Sequence, residues 1–195
     1  MRIAALDIGG TSIKSGIWDG CQASELKEWD TNASRGGEYL MERVKEILHT
    51  YGAFDAIGIS TAGQVDSEKG KIHYANDNIP NYTGMEIRAV LEKEFRVPVA
   101  VENDVNAAAL GELYFGAAKG SKNFLCLTYG TGVGGAIVLN GSIYTGNTFS
   151  GASFGGIVVH PESIRKDEEF SGCYEKYAST TALVKRVKAV DASLD

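Results

Sequence analysis

Residues 6–20 read LDIGGTSIKSGIWDG: an apolar run carrying one acid, Asp7, then Gly9-Gly10-Thr11, then a second strand-like run closed by Asp19-Gly20. Alternation and β-branching mark Arg2 to Ile8, Ser12 to Trp18 and Gln22 to Trp29 as three strands. Asp-Gly between apolar runs is a strong short-range hairpin signal. Residues 127–141, LTYGTGVGGAIVLNG, align on that stretch without gaps, placing Leu127 on Leu6, Gly130 on Gly9 and Asn140-Gly141 on Asp19-Gly20. Strand, glycine turn, strand and tight hairpin therefore open both halves of the chain, a weak internal repeat compatible with a duplicated α/β fold, the alternative being chance likeness of two Gly-rich hairpins.

Tyr39, Leu40, Val44, Ile47, Leu48 and Tyr51 recur at helical spacing, with Gly52 as a stop. Ala53 to Ser60 reads as a buried strand and residues 61–84 as a polar, irregular stretch. Ile87, Val90, Leu91 and Phe95 mark a second helix, and Val97 to Val101 a further strand. From Asn103, NDVNAAALGELYFG is rich in strong helix formers and loosens into a small-residue joint over Gly116 to Ser121. A lobe boundary is expected there, dividing the chain into residues 1–117 and 118–195, with Thr180 to Val190 as a late helix.

Composition narrows the partners. With 44% hydrophobic and 23% charged positions in 195 residues, the chain can bury a core of ordinary size. A net charge of −6 with scattered basic residues argues against a nucleic-acid partner, because phosphate neutralisation needs clustered Lys and Arg. No run approaches the ~18 apolar residues of a membrane span, and no charged segment leads into a long apolar stretch at the start. A cytoplasmic protein without a membrane partner is expected. Cys21, Cys126 and Cys173 include no CxxC pair and read as reduced structural thiols, and His49, His73 and His160 show no ligand spacing.

Gly130-x-Gly132-x-x-Gly135 matches a dinucleotide fingerprint as a string, but that fingerprint needs a helix next, and Ala136-Ile137-Val138-Leu139 reads as a strand. Glycine turns between strands still suit phosphate, because a backbone free of Cβ atoms can take positive φ and turn successive N–H groups onto an anion. Two such turns facing each other would grip a polyphosphate from both sides. Asp7 would repel phosphate unless a cation intervenes, so it is read as a Mg²⁺ ligand, direct or through water, in preference to a turn-capping carboxylate. Thr11 and Thr131 add hydroxyls, and Lys14 either neutralises a phosphate or solvates a strand edge. Glu102-Asn103-Asp104 stands where a strand ends and a helix begins, a place for ligand-facing groups and for a base that takes a proton from an acceptor hydroxyl. One of Asn103 and Asp104 could instead cap the helix.

These residues together resemble the ROK family of sugar kinases and sugar-responsive repressors, of the actin-like ATPase superfamily with duplicated ribonuclease-H-like lobes. The match runs through Asp7-Ile-Gly-Gly-Thr11, Ala62-Gly-Gln-Val-Asp66, Asn78-Ile-Pro80, the run from Glu102 to Glu112 and Gly130-Thr-Gly-Val-Gly-Gly135, covering most of the chain. The resemblance implies a mixed sheet with flanking helices, and an ATP- and Mg²⁺-dependent kinase acting on a hydroxyl of a hexose or hexose-containing glycoside. It implies Asp104 as general base, with Gly63, Asn78, Glu102 and Asn103 around the sugar. Asp7, Gly9, Gly10, Thr11 and Lys14 would lie at the nucleotide phosphates, as would Gly130, Thr131 and Gly132. Relatives also admit a homodimer.

Three departures modify that picture. The family's Gly-Glu-x-Gly-His element is replaced by Ala152-Ser153-Phe154-Gly155-Gly156, and its zinc segment, Cys-x-Cys-Gly-x-x-Gly-Cys, survives only as Gly172-Cys173. No zinc is therefore expected, and the missing Glu and His point to a glucoside or disaccharide acceptor rather than free glucose. The family continues for roughly another hundred residues, within the size of one domain. A fragment or shortened form is thus expected, with an incomplete second lobe, exposed apolar surface and weak or absent ATP turnover. Two alternatives carry less. A sugar-sensing repressor would need a DNA-binding head, and only six residues precede Asp7. A chaperone-like or cytoskeletal relative would not need Asn78 together with Glu102-Asn103-Asp104.

Overall fold

The computed structural model describes residues 1–191 and 193. Its contacts divide the chain into two compact units, Met1–Ala107 and Ala108–Asp195. In the first, β1 (Ile3–Ile8), β2 (Ser12–Trp18) and β3 (Ala23–Asp30) form an antiparallel meander, and β4 (Ala56–Thr61) runs parallel to β1. After a separate hairpin of β5 (Gln64–Asp66) and β6 (Lys71–Tyr74), β7 (Val99–Asn103) returns parallel to β4. The five strands lie in the order β3-β2-β1-β4-β7.

One face of this sheet makes the core. β1 buries Ala4, Leu6 and Ile8 in strict alternation, β4 buries Ile57 and Ile59, and β7 buries Val99 and Val101. Helix α1 (Gly37–His49) turns the stripe Leu40, Met41, Val44, Ile47 and Leu48 into that core, and α2 (Ile87–Phe95) adds Ile87 and Leu91. Full burial of each such side chain is worth about 1.5–3 kcal/mol, which outweighs the modest helix propensity of the β-branched members. The buried hydroxyl of Ser15 is matched by Tyr51 Oη at 2.8 Å and Trp29 Nε1 at 2.9 Å, so it carries no unpaired polar cost.

The expected irregular stretch over residues 61–84 is corrected: it holds the β5–β6 hairpin, pinned by buried Val65 and Ile72. Strands of three and four residues are too short to show a period. The expected strand from Ala53 begins at Ala56, since the carbonyl of Ala53 is taken by the Arg2 guanidinium. The strand expected to end at Val101 runs on to Asn103, so Glu102 and Asn103 belong to β7.

The second unit opens inside α3 (Asp104–Tyr114), ahead of the boundary expected after residue 117. The glycine-rich joint is a stack of turns tied to the helix end. Gly116 and Ala118 both donate to the Glu112 carbonyl, and Ala117 N–H donates to Glu112 Oε2 at 2.7 Å. β8 (Phe124–Tyr129), β9 (Val133–Leu139) and β10 (Ser142–Ile143) repeat the antiparallel meander, and α4 (Glu175–Ala178) and α5 (Thr180–Val190) follow. Asn140 and Gly141 both take left-handed φ, at 53° and 79°, as the two-residue hairpin turn demands. The gapless repeat does not survive in register. Ile8 pairs with Ile13, whereas Tyr129 pairs with Val133, so the second glycine turn is one residue shorter. Leu125, Leu127 and Tyr129 on one face of β8 are exposed. Among the described residues no helix is long and apolar enough to cross a membrane.

Candidate functional site

The parallel strands β1, β4 and β7 end at one edge of the first sheet, and their last polar residues are in register: Asp7 beside Ser60, and Ser60 beside Glu102. Lys14 and Glu28 extend the row across β2 and β3. Side chains at paired positions share a face, so this row lies on the side of the sheet opposite Leu6, Ile59 and Val101. The C-terminal edge of parallel strands is where open α/β sheets hold ligands. Ser60 Oγ donates to Asp7 Oδ1 at 2.8 Å. Ser60 is invisible to motif reading, because only the β1–β4 register brings it to Asp7. Among the described residues Asp7 Oδ2 has no hydrogen-bond partner and Lys14 no ion pair.

Asn103 organises the end of β7. Its Oδ1 accepts the N–H groups of Val105 at 3.0 Å and Asn106 at 3.1 Å, which makes it the cap of α3, with Asp104 Oδ1 sharing the Val105 N–H at 2.9 Å. Its Nδ2 donates to Asp104 Oδ1 at 2.8 Å and to the Gly63 carbonyl at 2.9 Å. Both donors of the amide are thus used in fixing Asp104 and Gly63, and its oxygen in capping α3. Glu102 Oε1 accepts from Asn103 N–H at 2.8 Å and Asn106 Nδ2 at 3.0 Å.

The Asp104 side chain retains an open side to solvent, yet the atoms packed around its carboxyl strip enough hydration to push its pKa up. The negative charge of Asp7 pushes the same way, against hydrogen bonds from Val105 N–H and the Asn103 amide.

Gly63 has φ +101°, and a Cβ there would lie 3.0 Å from the Tyr74 carbonyl oxygen, so both backbone and space require glycine. The loop carrying Asn78 is held at its base. Tyr82 Oη meets Thr61 Oγ1 at 2.9 Å in full burial, and Gly37 N–H at the start of α1 donates to the Pro80 carbonyl at 2.8 Å. Burial pushes the Tyr82 hydroxyl up to about 12. Asn78 is exposed, and among the described residues its side chain makes no hydrogen bond.

The two glycine turns share one construction. Gly9 N–H closes on the Ser12 carbonyl at 2.9 Å and Gly130 N–H on the Gly132 carbonyl at 3.0 Å. Among the described residues, the N–H groups of Gly10, Thr11, Thr131 and Gly132 and the hydroxyls of Thr11 and Thr131 have no protein partner. The expectation of positive φ is corrected: none of Gly9, Gly10, Gly130 and Gly132 is left-handed. Glycine acts there through access, since a Cβ at Gly10 or Gly130 would point into open space. β9 follows the second turn directly, which rules out the dinucleotide fingerprint. Glu175 was not legible as a neighbour of this turn. Its Oε2 accepts Val133 N–H at 2.9 Å, and its carboxylate fills the place a Gly132 side chain would need.

Among the described residues no three His, Cys, Asp or Glu side chains are grouped as metal ligands. Asp7, with one unengaged carboxylate oxygen at an exposed strand end, suits Mg²⁺, which keeps most of its shell as water and phosphate oxygen.

The chain is 34% identical over 188 residues to a glucokinase of Thermotoga maritima, with 94% of this chain and 59% of that protein aligned. It is 33% identical over 186 residues to a beta-glucoside kinase of Listeria monocytogenes, with 95% and 62% covered. The solved ROK family glucokinase of Streptomyces griseus in complex with glucose and AMPPNP superposes with a TM-score of 0.82 at 29% identity, over 99% of this chain and 63% of that one. The chain thus spans about three fifths of the length of these relatives. The ROK family model matches residues 3–195, from β1 onward, and the chain belongs to the ROK family.

Proposed function

We propose that the chain serves ATP-dependent phosphorylation of a hydroxyl on a hexose or hexose-containing glycoside. The observation that carries this reading is the Asn103–Asp104 pair: a carboxylate with a raised pKa, held by one amide at the ligand edge of a parallel sheet. A raised pKa strengthens a base for removing a proton from an alcohol. Asp104 takes the acceptor's proton, the alcohol oxygen bonds to the γ-phosphorus, and the bond to the ADP oxygen breaks. The open N–H groups of Gly10, Thr11, Thr131 and Gly132 receive phosphate oxygens, with the hydroxyls of Thr11 and Thr131 beside them and Lys14 adding positive charge. Mg²⁺ held by Asp7 would neutralise part of the nucleotide's charge. Asn78 and the free oxygen of Glu102 engage sugar hydroxyls, Gly63 lies against the ring, and Asn103 keeps base and ring wall in place.

The acceptor is read as a glycoside. Ser153 and Gly156 stand where the resemblance to the family leads one to expect Glu and His, and Ser153 Oγ is turned to the Ser150 carbonyl at 3.1 Å. The test is ³¹P NMR of Mg-ATP with glucose, cellobiose or methyl β-glucoside. In a form extended to the length of the relatives, sugar phosphate forming from cellobiose, and failing to form with Asp104→Asn, is expected. Turnover unchanged in that variant overturns Asp104 as the base, absence of sugar phosphate with every sugar overturns the kinase assignment, and strong preference for glucose overturns the glycoside.

A further inference from the structure

The two glycine turns lie in different units and follow different strands, yet each is tied from behind in the same way by threonine. Thr31, fully buried after β3, donates its hydroxyl to the Gly9 carbonyl at 2.7 Å and its N–H to the Thr11 carbonyl at 3.0 Å. At the start of α5, Thr180 N–H donates to the Gly130 carbonyl at 2.9 Å and Thr181 Oγ1 to the Thr131 carbonyl at 2.9 Å. A trans peptide is planar, so its C=O and the following N–H point in opposite directions. Pinning the Gly9 carbonyl therefore aims Gly10 N–H the other way, and pinning those of Gly130 and Thr131 does the same for the N–H groups of Thr131 and Gly132. Those three N–H groups are among the ones that have no protein partner. We propose that Thr31 and Thr181 are matched positioning residues, which hold carbonyls behind each glycine turn and so present its N–H groups to phosphate.

This rests on the phosphate role of the turns given above, and the experiment separates the two. Amide ¹H–¹⁵N spectra of the chain are titrated with inorganic phosphate, small enough to report on each turn by itself. Saturable shifts at Gly10, Thr131 and Gly132 are expected. Thr181→Val should weaken apparent affinity at Gly132 by about two- to tenfold, the range for one lost neutral hydrogen bond, with Gly10 unchanged. Thr181→Ser should restore it. Thr31→Val should do the converse, and because Thr31 is buried, Thr31→Ser serves as its folded control. Thr181 is exposed, so its valine variant carries the test by itself. A wild-type response in Thr181→Val overturns the positioning role alone. No response at any of the three amides in the unmodified chain overturns the phosphate role and the positioning role together.

Discussion

Asn103 donates one amide hydrogen to Asp104 Oδ1 at 2.8 Å while its own carbonyl oxygen caps the helix that Asp104 begins. A single side chain thereby couples the start of α3 to the orientation of the proposed base, and through the Gly63 carbonyl to the wall of the proposed sugar site. Asn78, by contrast, stands exposed on a loop whose base is held by other residues.

The two asparagines should separate stability from binding. Asn103→Ala is expected to cost about 0.5–2 kcal/mol in chemical denaturation, the usual range for a lost helix cap. Asn78→Ala should stay within about 0.5 kcal/mol of the parent, as an exposed substitution without partners. Hexose or cellobiose affinity by calorimetry should fall about tenfold in Asn78→Ala, the worth of one good hydrogen bond. Undiminished affinity would remove Asn78 from the sugar site.

Asp104 should impose a pH-dependent stability cost. Its folded pKa is raised, so the folded state holds a proton more tightly than the unfolded state and stability falls as pH rises from the ordinary value of 3.8 through the folded value. Asp104→Asn should therefore melt above the parent at pH 7, with the gap closing in acid below the ordinary carboxylate range. Asp7→Asn should lower the Asp104 pKa read by carboxyl-carbon NMR, because it removes one of the charges that raise it. A gap that persists undiminished in acid would show that the benefit comes from something other than ionisation.

Tyr82 should behave as an anchor whose hydroxyl ionises late. With its pKa raised from 10.0 to about 12, it contributes stability that is present below pH 10 and lost as pH approaches 12. Tyr82→Phe should flatten that alkaline slope and cost about 0.5–1.5 kcal/mol at neutral pH through the lost bond to Thr61. Absorbance titration at the tyrosinate band checks the first outcome and urea unfolding the second.

Ser60 and Asp7 should differ in how they affect magnesium. Asp7→Asn is expected to abolish the Mg²⁺-dependent part of ATP binding, since it removes the anionic ligand. Ser60→Ala leaves the carboxylate but frees its orientation, so the Mg²⁺ midpoint should rise by only about two- to tenfold. Calorimetric titration of Mg²⁺ at fixed ATP measures both. Equal loss in the two variants would argue that Asp7 acts through its fold position and not as a ligand.

What the sequence determined by itself was local. The alternation in β1 and β2, the helical stripe in α1, the Asn140-Gly141 turn and the helix over Thr180–Val190 each depend on neighbours a few residues away, and a period of 2 or 3.6 records them. The two glycine turns and the Glu102-Asn103-Asp104 junction were legible for the same reason. Tertiary structure alone decided which of Asn103 and Asp104 caps α3, that Ser60 meets Asp7, that residues 64–74 pair as a hairpin, and that Glu175 lies over Gly132. It also decided that Thr31 and Thr181 stand behind the turns. The contacts of Ser60, Glu175, Thr31 and Thr181 come from parallel register and from hydrogen bonds between residues distant in the chain, while the cap and the hairpin are local but too short to show a period. Such contacts leave no periodic trace, and they form only once burial of the apolar face has fixed which strand edges meet.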